Sequence, residues 1–167
     1  MKKMNLQYYS FDSFIGEFTV VEKNNILIYI GLPNIQFSKI QHWCEGKFGK
    51  IKLELIDFRD SSSYVQLFEY FSGNRRLFSL EYKLYQTKFR VNVLKTIEKI
   101  TFGQIQSYGE IAKLIGKPKA VRAVGTANAI NPLPIVIPCH RVIEKNGGIG
   151  GYRGGVDMKL KLLQFEK

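Results

Sequence analysis

Three prolines within seven residues limit what the second half of this chain can form. Pro132, Pro134 and Pro138 each remove a backbone N–H donor, and each disfavours helical backbone in the residue before it. The sequence therefore predicts an extended path through this stretch. Such a path delivers the Cys-His-Arg-Val string at 139–142 to a fixed place.

Two short helices are predicted just before the prolines. Ser107 followed by Glu110 forms a capping box, which predicts a helix that begins there and stops at Gly116. Pro118 suits the first turn of a second helix over residues 119–129. Two helices joined by a turn of about three to four residues form a helix-turn-helix. Some such motifs bind DNA, whereas many helical hairpins only pack.

Small residues leave one surface of the second helix nearly bare, and Arg122 projects from it. The small residues are Ala120, Ala123, Gly125, Ala127 and Ala129. They would let the helix approach a phosphate backbone or a narrow groove closely. The alternative is that they let the helix pack tightly on a neighbour.

Two further helices are predicted in this half. Thr87 is a suitable N-cap for a helix that Gly103 ends, and Asp157 opens a final helix through Phe165. The glycines around Tyr152 match neither a dinucleotide-binding fingerprint nor a P-loop. Close approach of the backbone to a flat group explains them better.

The first half predicts a small α+β module. Asn24-Asn25 separates two runs rich in β-branched and aromatic residues, which indicates a hairpin. Helices are expected over residues 37–49 and 61–73, with strands at 51–55 and 77–83. The second of these helices is expected to place Val65, Phe68 and Phe71 on one face.

Positive charge is concentrated in the second half. Residues 1–85 carry 11 basic and 9 acidic side chains, whereas residues 86–167 carry 14 and 5, so the net charges are +2 and +9. Phosphate neutralisation with counterion release drives nucleic-acid binding, which makes a polyanion the expected partner of residues 86–167. A solvated Lys-rich surface is the alternative. We expect two domains, a structural one at 1–85 and a functional one at 86–167.

The cysteine count and the start of the chain favour a cytoplasmic protein. Cys44 and Cys139 are too few for a disulfide framework, and His42 with Cys44 lacks the second ligand pair of a zinc site. Lys2 and Lys3 resemble the start of a secretion signal, but polar residues follow where an apolar run is required. No segment approaches the roughly 18 apolar residues of a membrane span. We expect neither a metal nor a membrane partner.

Cys139 is the side chain best suited to chemistry. A free thiol ionises near pH 8.5, so a nucleophilic cysteine needs a base or positive surroundings. His140 and the basic half of the chain supply candidates for both. Adjacent side chains usually diverge, so His140 would need special backbone geometry or a bridging water. On these residues alone, inert packing of the thiol is the alternative.

Several motifs follow in a fixed order along the second half. They are Thr101-Phe102-Gly103-Gln104, Ser107-Tyr108, Arg122-Ala123-Val124-Gly125, Asn131-Pro132, Pro138-Cys139-His140-Arg141-Val142 and Gly151-Tyr152. Together they resemble the O6-alkylguanine-DNA alkyltransferase family, also called methylated-DNA-protein-cysteine methyltransferases, over residues 87–166. Residues 1–85 resemble it only in length and strand-helix order. The resemblance implies an α+β fold, with an N-terminal ribonuclease H-like α/β module followed by a mainly helical domain that carries the helix-turn-helix and an active-site strand.

The resemblance also implies the chemistry. Cys139 would take the alkyl group from O6 of a guanine that has been rotated out of the duplex. A proton relay would run from Cys139 through a water to His140 and then to Glu166. Tyr108 would donate a proton to the base and crowd the neighbouring phosphate. Asn131 would brace the helix-turn-helix against the active-site strand.

DNA binding through the minor groove is implied as well, largely without sequence preference. Arg122 would fill the gap that the rotated nucleotide leaves. The implied DNA-binding residues are Arg122, Tyr108, Ala123, Thr126 and Ala127, and the implied substrate-pocket residues are Asn131, Val142, Tyr152, Arg153 and Gly154. Arg153 departs from the serine of some relatives, so the fit of bulkier alkyl groups is open.

The implied product is a thioether, which has no carbonyl for water to attack, so each molecule would act once. The expected protein is a monomer that needs no cofactor and acts on double-stranded DNA carrying O6-alkylguanine. Two other classes stay open. One is a helix-turn-helix DNA-binding or regulatory protein without alkyl transfer, and the other is a thiol hydrolase, which would gain nothing from Arg122.

Overall fold

The computed structural model describes residues 3–167, which form two compact units that meet in the chain between Tyr85 and Gln86. Lys2, one of the two lysines compared above with a secretion signal, lies outside the described residues. None of the helices within residues 3–167 is both long and apolar enough to cross a membrane.

The first unit is a mixed four-stranded sheet with two α-helices. Its elements are β1 (Met4–Ser13), β2 (Gly16–Lys23), β3 (Ile26–Gly31), α1 (Phe37–Phe48), β4 (Ile51–Leu55) and α2 (Ser62–Phe71). The strand order is β3-β2-β1-β4, in which β1, β2 and β3 are antiparallel neighbours and β4 runs parallel to β1. The hairpin prediction is confirmed, because Asn24 and Asn25 connect β2 to β3 with φ of 52° and 63°. A two-residue turn with both φ positive matches the twist of a hairpin.

Two predictions for this unit are wrong. Residues 77–83 form no strand, and only Tyr82 pairs with the sheet, as an isolated bridge to Leu27. In α2 the buried residues are Ser63, Leu67 and Tyr70, whereas the predicted Val65 and Phe68 are exposed.

Hydrogen bonds of Ser63 explain how α2 is rotated. Its hydroxyl donates to the buried Glu22 carboxylate over 2.5 Å and accepts from the Tyr9 hydroxyl over 2.6 Å. These bonds turn Ser63 toward the sheet, and positions four and seven residues later follow it inward. The polar anchor therefore decides which apolar residues are buried, and hydrophobic spacing alone does not reveal it.

The second unit is mainly helical. It contains α3 (Lys88–Ile97), α4 (Tyr108–Leu114), α5 (Val121–Ala129) and α6 (Val156–Phe165), with a short parallel pair of β5 (Gln106–Ser107) and β6 (Val142–Ile143). Thr87 caps α3 as predicted, but the helix ends at Ile97 because the next residues tighten into a turn, in which the Ile100 N–H donates to Ile97.

The helix-turn-helix is formed by α4 and α5, with a longer connection than predicted. The capping box is present, since Ser107 accepts from the Glu110 N–H and the Glu110 carboxylate accepts from the Ser107 N–H. The connection spans residues 115–120, and Pro118 lies within it rather than in the first turn of α5. The N–H groups of Gly116, which has φ of 72°, and of Lys117 close the end of α4 by donating to carbonyls of that helix. These closing residues make the connection longer than the predicted turn.

We predict that Ser107→Ala lowers the free energy of unfolding by about 0.5–2 kcal/mol, because it leaves α4 without its N-cap. Urea denaturation measures the change. Ser38→Ala, at an exposed position in α1, is the matched control and should change stability little. Equal stabilities of the two variants would contradict this role of the cap.

Candidate active site and DNA-binding surface

The proline-rich stretch folds back on itself instead of running extended. Ile135 has φ of 76°, in the left-handed region that β-branched residues avoid, and the Ile137 N–H donates to the carbonyl of Leu133. The Asn131 side chain holds this turn, because it donates to the Ile137 carbonyl over 2.8 Å and accepts from the Leu133 N–H over 3.0 Å. Asn131 thus braces the loop that leads to Cys139.

The predicted active-site strand is a single turn of 3-10 helix over Cys139–Arg141. The Arg141 N–H donates to the carbonyl of Pro138, and the chain becomes a strand only at Val142. A turn separates adjacent side chains less than a strand does, because strand neighbours point to opposite faces. The turn therefore differs from the strand in how it directs Cys139 and His140.

His140 lies beside Glu166, the residue that follows α6. His140 is fully buried, and its Nε2 lies 2.8 Å from Oε1 of Glu166, which is 3% exposed. His140 Nδ1 is also buried and has no hydrogen-bond partner within residues 3–167. Burial lowers the pKa of His140, against the opposing effect of Glu166, so the imidazole is neutral at neutral pH. With its proton on Nε2, it offers the Nδ1 lone pair as a base.

Arg141 completes this cluster and was not among the predicted site residues. Its Nε donates to Oε2 of Glu166 and its Nη2 to Oε1, each over 2.8 Å, and its Nη1 donates to the carbonyl of Ile100. The paired guanidinium fixes the carboxylate in place. The sequence feature that could have indicated this pairing with Glu166 is the basic residue within the Cys-His-Arg string.

The Cys139 thiol is 4% exposed, and burial raises its pKa. The Asn131 side chain, the charges of Arg153 and Lys159 and the Tyr152 side chain act in the opposite direction. Because burial dominates, the resting group is a thiol rather than a thiolate. A base is therefore needed to generate the nucleophile.

Lys159 is a second functional residue that the sequence reasoning missed. It is fully buried in α6, and its Nζ donates to the carbonyls of Val142 and Ile149 over 2.6 Å and of Gly151 over 3.3 Å. Its available signal was spacing, since Lys159, Leu162 and Glu166 recur at helical intervals. The ammonium holds the loop around residues 149–151 against the site and adds positive charge near the thiol.

Tyr108, at the start of α4, lies between two glycines. A Cβ at Gly125 in α5 would lie 3.9 Å from the Tyr108 ring, and one at Gly150 would lie 3.3 Å from its hydroxyl. The flat group that Gly150 approaches is therefore the Tyr108 ring. Burial raises the pKa of Tyr108, assisted by the charges of Cys139 and Glu144.

The predicted DNA-binding residues divide into two sets. Arg122, Ala123 and Thr126 are exposed on α5, so they form a surface that DNA can reach. Ala127 is 1% exposed and packs in the interior, and its role in DNA binding stays a prediction. Its burial follows from helical geometry, because α5 turns Ala127 inward together with Val124.

The predicted pocket residues also divide. Tyr152, Arg153 and Gly154 are half-buried, whereas the Val142 side chain is fully buried and its carbonyl already accepts from Lys159. The Val142 side chain faces the interior, and its place in a substrate pocket stays a prediction. Gly154 has no room for a side chain, because a Cβ there would collide with Met158 and the Tyr152 ring. No cluster of three or more His, Cys, Asp or Glu side chains that could hold a metal occurs within residues 3–167.

The second unit is thus a helix-turn-helix scaffold that carries a buried thiol and, at the next residue, a buried imidazole bonded to a carboxylate. The family model described as the DNA-binding domain of 6-O-methylguanine DNA methyltransferase matches residues 88–167. The inducible methylated-DNA–protein-cysteine methyltransferase of Bacillus subtilis (strain 168) is 39% identical over 141 residues, which are 84% of this chain and 79% of that protein.

Solved structures agree with these relatives. A crystal structure of Mycobacterium tuberculosis O6-methylguanine methyltransferase has a TM-score of 0.84 at 36% identity and covers 97% of this chain and 93% of that chain. A crystal structure of Mycobacterium tuberculosis OGT in complex with DNA has a TM-score of 0.81 at 36% identity, with 96% and 92% covered. The chain belongs to the methylated-DNA–protein-cysteine methyltransferase family.

We predict that Glu166→Ala lowers the free energy of unfolding by about 3–5 kcal/mol, because it leaves the buried Arg141 charge without its partner. Urea denaturation measures this loss. Gln164→Ala, at an exposed position in the last turn of α6, should have little effect. A loss for Glu166→Ala no larger than that of the control would show that the carboxylate does not hold the cluster together.

The buried imidazole also predicts a dependence of stability on pH. The unfolded chain binds a proton at His140 near pH 6.5, whereas the lowered pKa keeps the folded imidazole neutral to lower pH. Since the unfolded state then binds more protons, the free energy of unfolding falls as pH decreases below about 6.5. His140→Gln should flatten this dependence between about pH 7 and pH 5. His42→Gln, at an exposed position, is the control, and equal slopes in all three proteins would contradict the prediction.

Proposed function

We propose that this protein repairs O6-alkylguanine in double-stranded DNA by transferring the alkyl group irreversibly to Cys139, once per molecule. The observation that carries the proposal is the buried His140–Glu166 pair, whose histidine directly follows the buried Cys139 in the chain, on the same unit as the helix-turn-helix. Family membership supports it, since the relatives are named for this transfer.

The proton path follows from the site. His140 Nδ1 takes the thiol proton through a bridging water, and Glu166 stabilises the imidazolium through Nε2. The thiolate then attacks the alkyl carbon, a sulfur–carbon bond forms, and the electron pair of the broken carbon–oxygen bond stays on guanine. Tyr108 gives its phenolic proton to a ring nitrogen of the base, so that neutral guanine departs. The thioether has no route back, because no second nucleophile is part of the proposed site.

The DNA-binding role is assigned to the exposed face of α5 in the minor groove. Ala123 and Thr126 allow close approach, and Arg122 enters the stack when the damaged nucleotide is rotated out. Tyr108 crowds the adjacent phosphate. Minor-groove binding reads bases poorly, so recognition is largely independent of sequence.

The substrate pocket is assigned to Tyr152, Arg153 and Gly154, with Asn131 shaping the loop beneath the thiol. The Tyr152 hydroxyl is buried, and the charge of Arg153 acts to lower the pKa of the Cys139 thiol. Residues 3–85 form the structural unit, which we assign to the ribonuclease H-like class on its order of three antiparallel strands, a helix and a strand parallel to the first. The protein acts as a cytoplasmic monomer without a cofactor, and its two free thiols are in keeping with a reducing compartment.

Incubation with duplex DNA containing O6-methylguanine should add the mass of one methylene to the Cys139 peptide, with saturation at one per protein. Cys139→Ser should stay unmodified and leave the lesion in place. Cys44 is the control within the same sample, because burial raises its pKa to about 12 and keeps it unreactive. Restored DNA with unmodified Cys139 would refute the proposal. If the protein were only a DNA-binding regulator, it would bind the duplex without transfer of the alkyl group. If it were a thiol hydrolase, it would turn over repeatedly.

Arg122→Ala should lower the transfer rate from duplex DNA by roughly tenfold or more, because nothing then offsets the few kcal/mol of unstacking. Transfer from the free base O6-methylguanine needs no rotation and should be nearly unchanged. Lys119→Ala removes the same charge from an exposed position before α5. This control should weaken DNA binding only slightly, and the effect should depend on the salt concentration. An equal loss on duplex and free base would remove Arg122 from this role.

A further inference from the structure

A cavity of about 300 Å³ lies in the first unit, which does not carry the site described above. It is enclosed by the end of β2, the start of α2 and residues 79–81, which follow that helix. Glu22 and Ser63 both line it, so the buried polar anchor of α2 is also part of the cavity wall. The repair mechanism uses neither of these residues.

The Glu22 carboxylate is buried, but only one of its oxygens is satisfied. Glu22 is 3% exposed, and its Oε1 accepts from the hydroxyls of Ser61 over 2.7 Å and of Ser63 over 2.5 Å. No hydrogen-bond donor within residues 3–167 reaches Oε2. Buried polar groups are normally paired, so an oxygen in this condition is unfavourable in the empty cavity. Oε2 is therefore available to a donor that enters the cavity.

No positive charge in the described part of the chain forms an ion pair with Glu22. The neighbouring Lys23 places its Nζ 5.0 Å from the centroid of the Phe48 ring, and the Nζ of Lys83 lies 5.2 Å from that of the Tyr85 ring. None of the described residues that line the cavity is Lys, Arg or His. A buried charge without an opposite charge is unfavourable, so the cavity favours a cationic ligand.

The lining suits an organic cation better than a metal ion. A hard metal cation takes six or more oxygen ligands, and residues 3–167 contain no cluster of three His, Cys, Asp or Glu side chains. A primary ammonium has only three N–H donors to satisfy. Oε2 of Glu22 accepts one, and the hydroxyl of Ser62, which also lines the cavity, can accept another. Leu27 and Leu80 supply apolar walls for a short carbon chain.

Two hydrogen bonds hold the cavity wall in place. The Ser79 N–H donates to Oε1 of Gln66 over 2.9 Å, and Nε2 of Gln66 donates to the Ser79 hydroxyl oxygen over 3.2 Å. They join α2 to the segment after it, so a ligand would not have to order this wall. Glu81, an exposed residue of the lining, adds a second negative charge that attracts cations.

We propose that this cavity binds the ammonium group of a small primary alkylammonium compound, with Oε2 of Glu22 as the main acceptor and the alkyl chain against Leu27 and Leu80. Binding is noncovalent. The inference does not depend on alkyl transfer, because every lining residue belongs to the unit without Cys139.

The test titrates the whole chain with butylammonium chloride at constant ionic strength and follows the backbone amide signals by NMR. The signals of Ser63 and Gln66 should shift and saturate, and the free energy of unfolding should rise with the ligand concentration. Tetramethylammonium carries the same charge without N–H donors, and butanol carries the chain without the charge. Both should bind at least about tenfold more weakly, the size expected for a hydrogen bond to a charged group.

Glu22→Gln removes the charge but keeps an oxygen that can accept from Ser61 and Ser63. It should lower the affinity for butylammonium by about tenfold or more. Asp12→Asn removes the same charge from an exposed position in β1 and is the matched control, with unchanged affinity. Glu81→Gln should lower the affinity by only about two- to fivefold, because Glu81 is exposed.

Three results would each overturn the inference: no saturable shift in the unaltered protein, equal affinity for tetramethylammonium, or equal affinity in Glu22→Gln and Asp12→Asn. Urea denaturation shows whether Glu22→Gln is folded. If it is not, Glu81→Gln decides, since an unchanged affinity there would overturn the inference and a loss would support it. Alkyl transfer to Cys139 should proceed at the same rate in Glu22→Gln, and a failure of transfer in the unaltered protein would overturn the proposed function alone.

Discussion

The second unit depends on one buried carboxylate. Glu166 accepts from His140 and, through two nitrogens, from Arg141, and all three residues are nearly inaccessible to water. Removing charges from water is unfavourable, so such a group persists only when its partners are fixed. The end of α6 and the turn over Cys139–Arg141 must therefore form together. The electrostatic arrangement that orients the imidazole is the same one that closes this part of the fold.

Burial of the thiol sets the order of the chemical steps. With its pKa raised, Cys139 is protonated at rest, which protects it from oxidation and from adventitious electrophiles. The nearby cations, Arg153 and Lys159, reduce the penalty of forming a thiolate without removing it. A neutral His140 with a free Nδ1 can then act when a substrate is in place. This restraint suits a protein whose nucleophile is used once.

The sequence predicted features that depend on local rules. Capping at Ser107 and Thr87 and the Asn24-Asn25 turn are confirmed, because each uses only a few neighbouring residues. Tertiary partners decided the failures: Ser63 bonded to Glu22 set the rotation of α2, and a left-handed Ile135 folded the proline stretch back. Lys159 escaped notice for the same reason, since a lysine between apolar positions usually indicates exposure, and only the three carbonyls around its ammonium explain its burial.

In the reaction proposed above, two protons move in a buried site, one away from sulfur and one toward the base. Each movement creates a charge that burial disfavours, so each needs its own hydrogen-bonded support. Glu166 accepts from His140 and is placed to support an imidazolium there. Asn128 donates from α5 to the Cys139 carbonyl, so displacement of this helix by bound DNA would shift the residue that carries the thiol. This hydrogen bond joins the helix with the exposed Arg122 directly to the turn that holds Cys139.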